Sequence, residues 1–508
     1  ILTNQFGDNT WESCEEFQMY PYAVQSFCFL IHFIQTRNAN LIRRIEMPIF
    51  QNKSSYMTLA NHTLRQLNIL LDHEEHGRSY GHLSSVGSFL NKCTCVMGRR
   101  KFQYLLTHPS HDKVWLQQEY AMMNKMFSED AYPMIDPLRK QIGKIRDLEK
   151  TGKLLLNRKL SPSNVYQLYE SVEHVQQINL CLAEMKWLTQ YLCGDLCMET
   201  QTQQLMEFLT SKLRMDICKT SVNKTTYETN IIQPGVSHFL DKTLEELEIR
   251  EKQLHTIETF FNKMYNHLAK PKTQTDVIKV ITSEKNIVSM QLTKTRTDVL
   301  KKGTKVSPIK LDYNIEFEWK EVQFLNTNKT NNEISFPFLE RICRDITRIK
   351  NELNSLINEV FLQVLTELEE CYYGHIENIS MFVAGLDVLL TKCYLADKYH
   401  YSCPTMPTDH TTQSFIEAKG MRHVLIEQLQ QDELYVSNDI TLGKDKTNGI
   451  LLYGTNAVGK SSLIKSIGIC VIMAQAGMFV PCSEFYYEPY TAIYSRIIGN
   501  DNLFKGLS

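Results

Sequence analysis

The sequence predicts a multidomain, mainly α-helical protein with α/β parts. Over residues 57–233 apolar side chains recur at helical spacing with few glycines or prolines, and an especially long helical run covers 162–213. Two further amphipathic segments, 240–268 and a second beginning near 338, bracket residues 273–325, where apolar and polar residues alternate as in strands. The 508 residues are enough for several domains, here a helical domain with a small β insertion.

The N-terminal segment has a different character. Residues 22–34 form a predicted helix, followed by a polar loop and Pro48. We interpret residues 1–50 as the end of an α/β domain. The apolar run 24–34 is about half a membrane span and contains Gln25 and His32, so it predicts no transmembrane segment.

Two long helices are predicted on either side of the insertion, after a break at Pro234-Gly235. The apolar positions that define them are Leu240, Leu244, Leu247, Leu254, Phe261, Met264 and Leu268, then Ile342, Ile346, Ile349, Leu353, Leu356, Val360 and Val364. One interpretation is an arm that carries a β tip. The other is an ordinary helical bundle with a hairpin insertion.

A phosphate-binding loop lies near the C-terminus. Gly454, Gly459, Lys460 and Ser461 match the pattern G-x-x-x-x-G-K-[ST], in which glycines turn backbone amides toward phosphate oxygens. Lysine neutralises the outer phosphates, and the serine hydroxyl ligates Mg²⁺. The preceding apolar run 449–453 predicts a buried strand, and apolar spacing after the loop predicts a helix. The pattern therefore predicts binding of ATP with Mg²⁺.

The insertion is locally basic, although the whole chain has a formal net charge of −2. Between residues 271 and 310 there are nine lysines and arginines but only three acidic residues. Contact with a nucleic-acid backbone is the functional interpretation. A solvated β surface is the alternative, and charge alone does not separate the two.

Cysteine usage and one short motif argue against metal or disulfide chemistry. The 14 cysteines form no Cys-x-x-Cys pair, which favours thiols in a reducing, intracellular compartment. His73-Glu74-Glu75-His76 has its histidines three apart, where the zinc-protease pattern needs four, so we assign it to a solvated loop. Nucleus, mitochondrion and cytoplasm are not distinguished.

Several separated motifs resemble the MutS family of DNA mismatch-repair ATPases. Residues 59–69 resemble the entry to that family's core domain, and residues 397–404 resemble the hinge before its ATPase domain. The remaining motifs are Gly87-Ser88-Phe89-Leu90, Thr94, Met97-Gly98-Arg99-Arg100, His108-Pro109, Gly420-Met421-Arg422-His423, Ala474-Gln475-Ala476-Gly477, Phe479-Val480-Pro481 and 501–508. Their order is that of the family over nearly the whole chain. Thr455, Ala457, Val458 and Asn502 depart from the family pattern, as does an inserted residue before His423.

The resemblance implies a domain organisation. Residues 1–50 would end a connector-like α/β domain, 57–235 would form the helical core or lever domain, and 236–340 the DNA clamp with its basic β tip. Residues 341–410 would form the returning lever helix, and 416–508 a P-loop ATPase domain of ABC type, truncated before the Walker B carboxylates. On this basis we expect a fragment that lacks the mismatch-reading domain, binds ATP weakly and does not turn it over.

The resemblance also implies site residues. The nucleotide-binding set is Gly454, Asn456, Gly459, Lys460, Ser461 (also the Mg²⁺ ligand), Ser462, Tyr435 stacked on adenine, Gln475, and Ser508 offered in trans to the partner subunit. Core packing is the alternative for Tyr435 and Gln475, and His423 is expected to be a buried structural histidine. The candidate DNA contacts are Lys285, Lys294, Arg296, Lys301 and Lys302. No catalytic residue is assigned within the chain.

The function implied is that of an ATPase that clamps mismatched double-stranded DNA as a homo- or heterodimer and works with a MutL-type protein, without a membrane. Two alternatives remain open. One is a MutS paralogue that clamps branched or recombination DNA without reading mismatches. The other is a DNA-architectural protein that does not hydrolyse ATP.

Overall fold

A computed structural model describes residues 1–7, 15–37, 39–42, 45–48, 55–70, 81–221, 227, 229–270, 276–282, 288–303, 308–327, 330–408, 413–429, 435–443, 447–455 and 458–497. Within these ranges the chain is mainly helical with several small sheets, which confirms the coarse fold class. The backbone forms two compact units: residues 1–160, 167–207 and 371–508 make the first, and 161–166 with 208–370 make the second. The motif His73 to His76 lies outside the described residues.

Helices dominate the first unit. The N-terminal segment contains the predicted helix as Pro21–Arg37, with Val24 and Ile31 buried, and no strand among its described residues. The other helices before residue 221 are Leu2–Phe6, Glu15–Met19, Ala39–Ile42, Asn61–Gln66, Val86–Leu90, Val96–Thr107, Lys113–Met126, Ile135–Ile142, Leu148–Leu156, Pro162–Cys181, Lys186–Cys193, Met198–Lys212 and Met215–Thr220, the last of which belongs to the second unit. Short 3₁₀ turns occupy Gly81–Leu83 and Tyr132–Met134.

The long helical run predicted over 162–213 is divided into three helices. The first ends at Cys181 and the second at Cys193, where Gly194 adopts a φ of 59° that favours glycine. Each of the three helices buries one apolar face, so the helical spacing of apolar residues continues across both breaks. Apolar spacing alone therefore does not predict where the helices end.

The second unit contains the β insertion between its two long helices. The first of these, His238–Ala269, starts at Ser237, whose side chain accepts a hydrogen bond from the Leu240 amide. It ends at Lys270 in a left-handed conformation. The second, Pro337–Tyr399, runs for 63 residues. Both long helices therefore form as the sequence predicts.

The insertion is larger than a hairpin. Four antiparallel strands pair in the order Lys279–Thr282, Val288–Thr293, Asn331–Ser335 and Gln323–Asn326. A separate hairpin pairs Ile309–Leu311 with Ile315–Phe317, and the short helix Lys294–Leu300 and a 3₁₀ turn at Trp319–Glu321 lie between strands. One apolar core joins this β structure to both helices, including Phe261, Phe317, Phe336 and Ile342. The arrangement fits the interpretation of two helices that carry a β tip.

The C-terminal part of the first unit builds around the helix Lys460–Gln475, which we call the P-loop helix. A three-stranded antiparallel sheet has the order Glu484–Glu488, Phe415–Met421 and Asn438–Leu442. Thr58–Leu59 pairs in parallel with Ala492–Ile493, and the short helix Ile426–Leu429 follows the strand at 415–421. The P-loop helix contacts both ends of this unit, through Gly468 next to Leu67 and through Gln475, which bonds Ser110 and Tyr490.

One apolar stretch of the long helix Pro337–Tyr399 is long and hydrophobic enough to cross a membrane by composition. Of its 18-residue window, 83% is buried inside the protein. That burial is typical of the core helix of a globular protein.

Candidate nucleotide and DNA sites

The start of the P-loop helix presents backbone amides that have no partner within the helix. Gly459 precedes the helix with a φ of 90°, a conformation that glycine adopts without strain. The Leu463 amide donates to the Gly459 carbonyl at 2.9 Å, so the preceding amides, up to Ser462, have no partner within the helix. Four amides at the positive end of a helix dipole can bind a phosphate.

Lys460 folds back onto its own loop. Its Nζ donates to the Gly454 carbonyl at 3.0 Å and also contacts the carbonyl of Thr455. Ser461 and Ser462 are half-buried in the first helical turn. The structure therefore brings Gly454, Gly459, Lys460, Ser461 and Ser462 together at one end of the helix, as a phosphate site requires. Asn456 and Ser508 lie outside the described residues.

The apolar run before the loop is not a buried strand. Residues 449–453 pair with no strand among the described elements, and Leu451 and Tyr453 are 88% and 86% exposed. This part of the prediction is wrong for the structure. A central parallel strand depends on neighbours that are distant in sequence, and here none of the described strands flanks it.

Tyr435 is half-buried beside the P-loop helix. Burial raises the pKa of its phenol, and hydrogen bonds to Ser466 and to the backbone of His423 partly oppose that rise. Stacking of the ring on adenine stays a prediction.

Gln475 has the packing role rather than a nucleotide role. Its side chain is fully buried, donates to the carbonyls of Ser110 and Tyr490 at 2.9 and 2.8 Å, and accepts from the Tyr490 amide at 2.9 Å. It lies fifteen residues along the P-loop helix from Lys460, which is roughly 22 Å at 1.5 Å per residue. With its amide fully bonded at the far end, the side chain has no access to a phosphate at the loop. The assignment of Gln475 to the nucleotide set is thus corrected.

His423 is buried and structural, as expected. Its Nδ1 accepts hydrogen bonds from the amides of Leu425 and Ile426 at 3.2 and 3.3 Å. Burial, reinforced by the charge of Lys465, lowers the pKa of His423 to about 4. The ring is therefore neutral at physiological pH.

The candidate DNA contacts that the structure describes lie on one short helix and its end. Lys294 begins the helix Lys294–Leu300, and Lys301 and Lys302 follow it. Arg296 is half-buried and donates to the Val277 carbonyl at 3.4 Å, while Lys301 is 3.8 Å from Asp298. Lys301 and Lys302 are exposed, as contact with phosphate requires. Lys285 lies outside the described residues.

Basic and acidic residues occupy different halves of the insertion. The described residues up to 310 contain six basic and two acidic side chains, whereas those from 311 to 335 contain one basic and five acidic ones. The acidic residues follow residue 310, beyond the basic segment 271–310. The basic character belongs to the first half of the insertion rather than to the whole tip.

Several polar residues with structural roles escaped the sequence analysis. Asp387 is fully buried and accepts hydrogen bonds from the amides of Thr94 and Cys95 at 3.0 and 2.9 Å. Lys392 forms a buried ion pair of 2.6 Å with Glu119. The available signal was a lone acid and a lone base within the otherwise apolar stretch 379–396. The described residues contain no group of three or more metal-ligating side chains.

Comparison with protein families gives two matches. The model of MutS domain III matches residues 62–391, which is more than half of the chain, and the model of MutS domain V matches residues 450–508. The two matched segments occur in the order that the sequence motifs predict. The second begins just before the phosphate-binding loop.

Similar proteins are named for DNA mismatch repair. A mutS homolog of Acanthamoeba polyphaga mimivirus is 24% identical, over 96% of this chain and 46% of its own length. A mitochondrial mutS homolog of Sarcophyton glaucum is 23% identical, over 94% of this chain and 46% of its own length. The DNA mismatch repair protein MutS of Thermotoga neapolitana is 23% identical, over 98% of this chain and 55% of its own length. The chain spans about half the length of these relatives.

Proposed function

The chain belongs to the MutS family, and on that basis we propose that the intact protein is an ATP-dependent DNA mismatch-repair protein. In this proposal the protein clamps duplex DNA as a homo- or heterodimer and couples binding and hydrolysis of ATP to the state of the clamp. The observation that carries the proposal is the start of the P-loop helix, where Lys460 lies beside backbone amides that have no partner within the helix. The names of the similar proteins support the link to mismatch repair.

Each residue of the loop has a proposed role toward ATP and Mg²⁺. The amides of Gly459 to Ser462 hold phosphate oxygens, and Lys460 neutralises the outer phosphates after leaving the Gly454 carbonyl. Ser461 would ligate Mg²⁺ through its hydroxyl, and the ion would neutralise phosphate charge. Tyr435 stacks on the adenine, and Asn456 and Ser508 complete the set by family resemblance.

The DNA contact is proposed at the basic half of the insertion. Lys294, Lys301 and Lys302 are placed at the two ends of one short helix, where a phosphate backbone can neutralise them. Arg296 contributes charge, although part of its guanidinium is held by the Val277 carbonyl. Contacts of this kind give affinity for duplex DNA and no sequence preference.

The remaining partners are proposed from family resemblance. They are a second MutS-type subunit, a MutL-type protein and mismatched DNA, in a reducing intracellular compartment. The described cysteines are free thiols, and this is compatible with such a compartment.

A pair of binding measurements tests the proposal. Lys460→Ala should abolish binding of fluorescent ATP and leave the circular dichroism spectrum unchanged, because the hydrogen bonds of Lys460 to described residues are to carbonyls of its own loop. Lys159→Ala, which removes an exposed lysine, is the matched control and should bind like the unaltered chain. Wild-type affinity in the Lys460→Ala variant would overturn the nucleotide site.

The second measurement uses DNA. The intact protein should retard duplexes with one mismatch more strongly than perfect duplexes, and adding ATP with Mg²⁺ should change the dissociation rate. A preference for four-way junctions over mismatched duplexes would instead support a paralogue for branched DNA. ATP binding without turnover by the intact protein would support the non-hydrolysing alternative.

A further inference from the structure

The two exposed lysines of the proposed DNA contact are followed by a glycine in a left-handed conformation. Gly303 comes directly after Lys301 and Lys302, has a φ of 50° and donates its amide to the Leu300 carbonyl at 2.9 Å. Leu300 is fully buried, and Gly303 is half-buried. The lysines therefore lie between two backbone positions that the protein itself fixes, the second of which favours glycine.

Trp319 occupies the space beside that glycine. A Cβ added at Gly303 would be 2.3 Å from Nε1 of the Trp319 indole and 2.7 Å from its Cε2. A side chain at residue 303 would thus overlap the ring, and one of the two would have to move. The indole therefore lies directly against the backbone of Gly303.

The core of the second unit fixes the indole in turn. The ring centroid of Trp319 is 6.0 Å from that of Phe261, which lies on the long helix His238–Ala269. Trp319 packs at the edge of the same apolar core that contains Phe317 and Phe336. The indole thus connects the end of the basic segment to a core that both long helices support.

A second contact fixes the helix that precedes the lysines. Thr297 is fully buried on the helix Lys294–Leu300 and accepts a hydrogen bond from Nδ2 of Asn332 at 3.2 Å. Asn332 lies on Asn331–Ser335, an inner strand of the four-stranded sheet. The sheet therefore holds the body of this helix, while Trp319 holds the glycine that follows it.

The lysine side chains have little else to position them. Lys301 Nζ is 3.8 Å from a carboxylate oxygen of Asp298, and both side chains of this pair are exposed, so the pair contributes little. The side chain of Lys302 makes no hydrogen bond or ion pair with a residue in the described ranges. The backbone on either side of the two lysines therefore sets where their side chains begin.

We propose that Trp319 is a positioning residue of the proposed DNA contact, because it holds Gly303 and thereby fixes Lys301 and Lys302 against the phosphate backbone. The inference rests on that proposed contact. Two lysines on a fixed backbone can neutralise neighbouring phosphates without first being ordered. Loss of the indole would leave Gly303 without its packing partner, and the two lysines would lose their common placement.

Trp319→Ala in the 508-residue chain tests the inference through the salt dependence of duplex DNA binding. The slope of log K against log salt should flatten by about 1.8, which is about 0.9 for each of the two lysines. Trp187→Ala removes another half-buried tryptophan, in the first unit, and is the matched control that should keep the slope. A change in stability alone leaves the slope of the folded protein unaltered, so this measurement separates positioning from packing.

Tryptophan fluorescence gives a second measurement that does not depend on Trp319→Ala. Indole emission responds to charge near the ring, and the ring of Trp319 lies against the residue that follows Lys302. Duplex DNA should therefore change the emission of the unaltered chain, and Trp319→Phe should remove most of that change. Trp187→Phe should leave the change in place.

Three results would overturn the inference. They are an unchanged salt slope in folded Trp319→Ala, no DNA-induced change of emission in the unaltered chain, and a change of emission that persists in Trp319→Phe. The fluorescence results decide the matter even if Trp319→Ala does not fold.

Replacement of Lys301 and Lys302 alone by serine distinguishes this failure from failure of the DNA contact. If that variant keeps the salt slope of the unaltered chain, the contact itself is wrong and the inference falls with it. If it flattens the slope and folded Trp319→Ala does not, the contact stands and only the positioning role of Trp319 is wrong.

Discussion

Asp387 occupies the space in which a side chain at Gly98 would have to lie. A Cβ added at Gly98 would be 2.2 Å from Oδ2 of Asp387 and 2.8 Å from its Cγ. The same carboxylate accepts hydrogen bonds from the amides of Thr94 and Cys95, at the start of the helix Val96–Thr107. The glycine of the Met97-Gly98-Arg99-Arg100 motif therefore allows a buried carboxylate to hold the two residues that precede the helix.

Gly98→Ala should destabilise the fold. The new methyl group must displace Asp387 from a site where it is fully buried and bonded to backbone amides. Overpacking of this kind costs about 3 kcal/mol, which urea unfolding followed by circular dichroism would measure. Gly374→Ala is the matched control: a Cβ there meets nothing within 4 Å in a long helix, and it should stabilise by about 0.5–1 kcal/mol. Equal stability of the two variants would contradict this packing.

Gln475→Ala should lower stability and spare nucleotide binding. The change leaves the Ser110 carbonyl and both backbone groups of Tyr490 without their buried partner, at a cost of about 3 kcal/mol. Thermal unfolding and ATP affinity below the transition would be measured. Gln118→Ala, on an exposed helix face, should change neither. Loss of ATP affinity without loss of stability would restore the nucleotide role of Gln475.

Replacement of Lys294, Arg296, Lys301 and Lys302 by serine should weaken the salt dependence of DNA binding. The slope of log K against log salt should flatten by about 0.9 for each DNA phosphate that the variant no longer neutralises. The matched control replaces Lys140, Lys144, Lys153 and Lys159, which lie outside the insertion. A slope that changes equally in both variants, or in neither, would show that the basic half of the insertion is merely solvated.

Stability should fall in mild acid because of His423. Burial lowers the pKa of this ring from 6.5 to about 4, so between these pH values the unfolded chain binds a proton that the folded chain does not. The stability that neutral His423 contributes is present above pH 6.5 and is lost as pH falls toward 4. The free energy of unfolding should therefore fall by about 2 kcal/mol between pH 7 and pH 5. His423→Gln should reduce this pH dependence of urea unfolding, whereas His238→Gln, at an exposed position, should not. An unchanged pH dependence in His423→Gln would contradict the lowered pKa of His423.

Local patterns predicted the helices well. The helices Pro21–Arg37, His238–Ala269 and Pro337–Tyr399 form where apolar spacing placed them, because a helix satisfies its hydrogen bonds within its own segment. The phosphate loop was equally local, and its glycine turn and following helix occur as expected. The roles of Ser462 and Tyr435 are contacts with a ligand, so they stay predictions.

Relationships between distant residues could not be predicted. The strand expected at 449–453 failed because strand pairing depends on partners elsewhere in the chain. Asp387 and Thr94 are nearly three hundred positions apart, and no spacing rule joins them. Gln475 was placed in the wrong role for a similar reason, since its partner Ser110 lies in the distant loop between the helices Val96–Thr107 and Lys113–Met126.

The contacts that Lys460 makes inside its own loop would make phosphate binding at the proposed ATP site an exchange. The ammonium already has carbonyl partners at Gly454 and Thr455, so an incoming phosphate would gain only the difference between the new interaction and those it replaces. Under the proposed function, a triphosphate would reach more of the amides at the helix start than a single phosphate and so would offset the loss of those partners more fully. A preference for a triphosphate would thus begin with competition between the ligand and the loop for one cation.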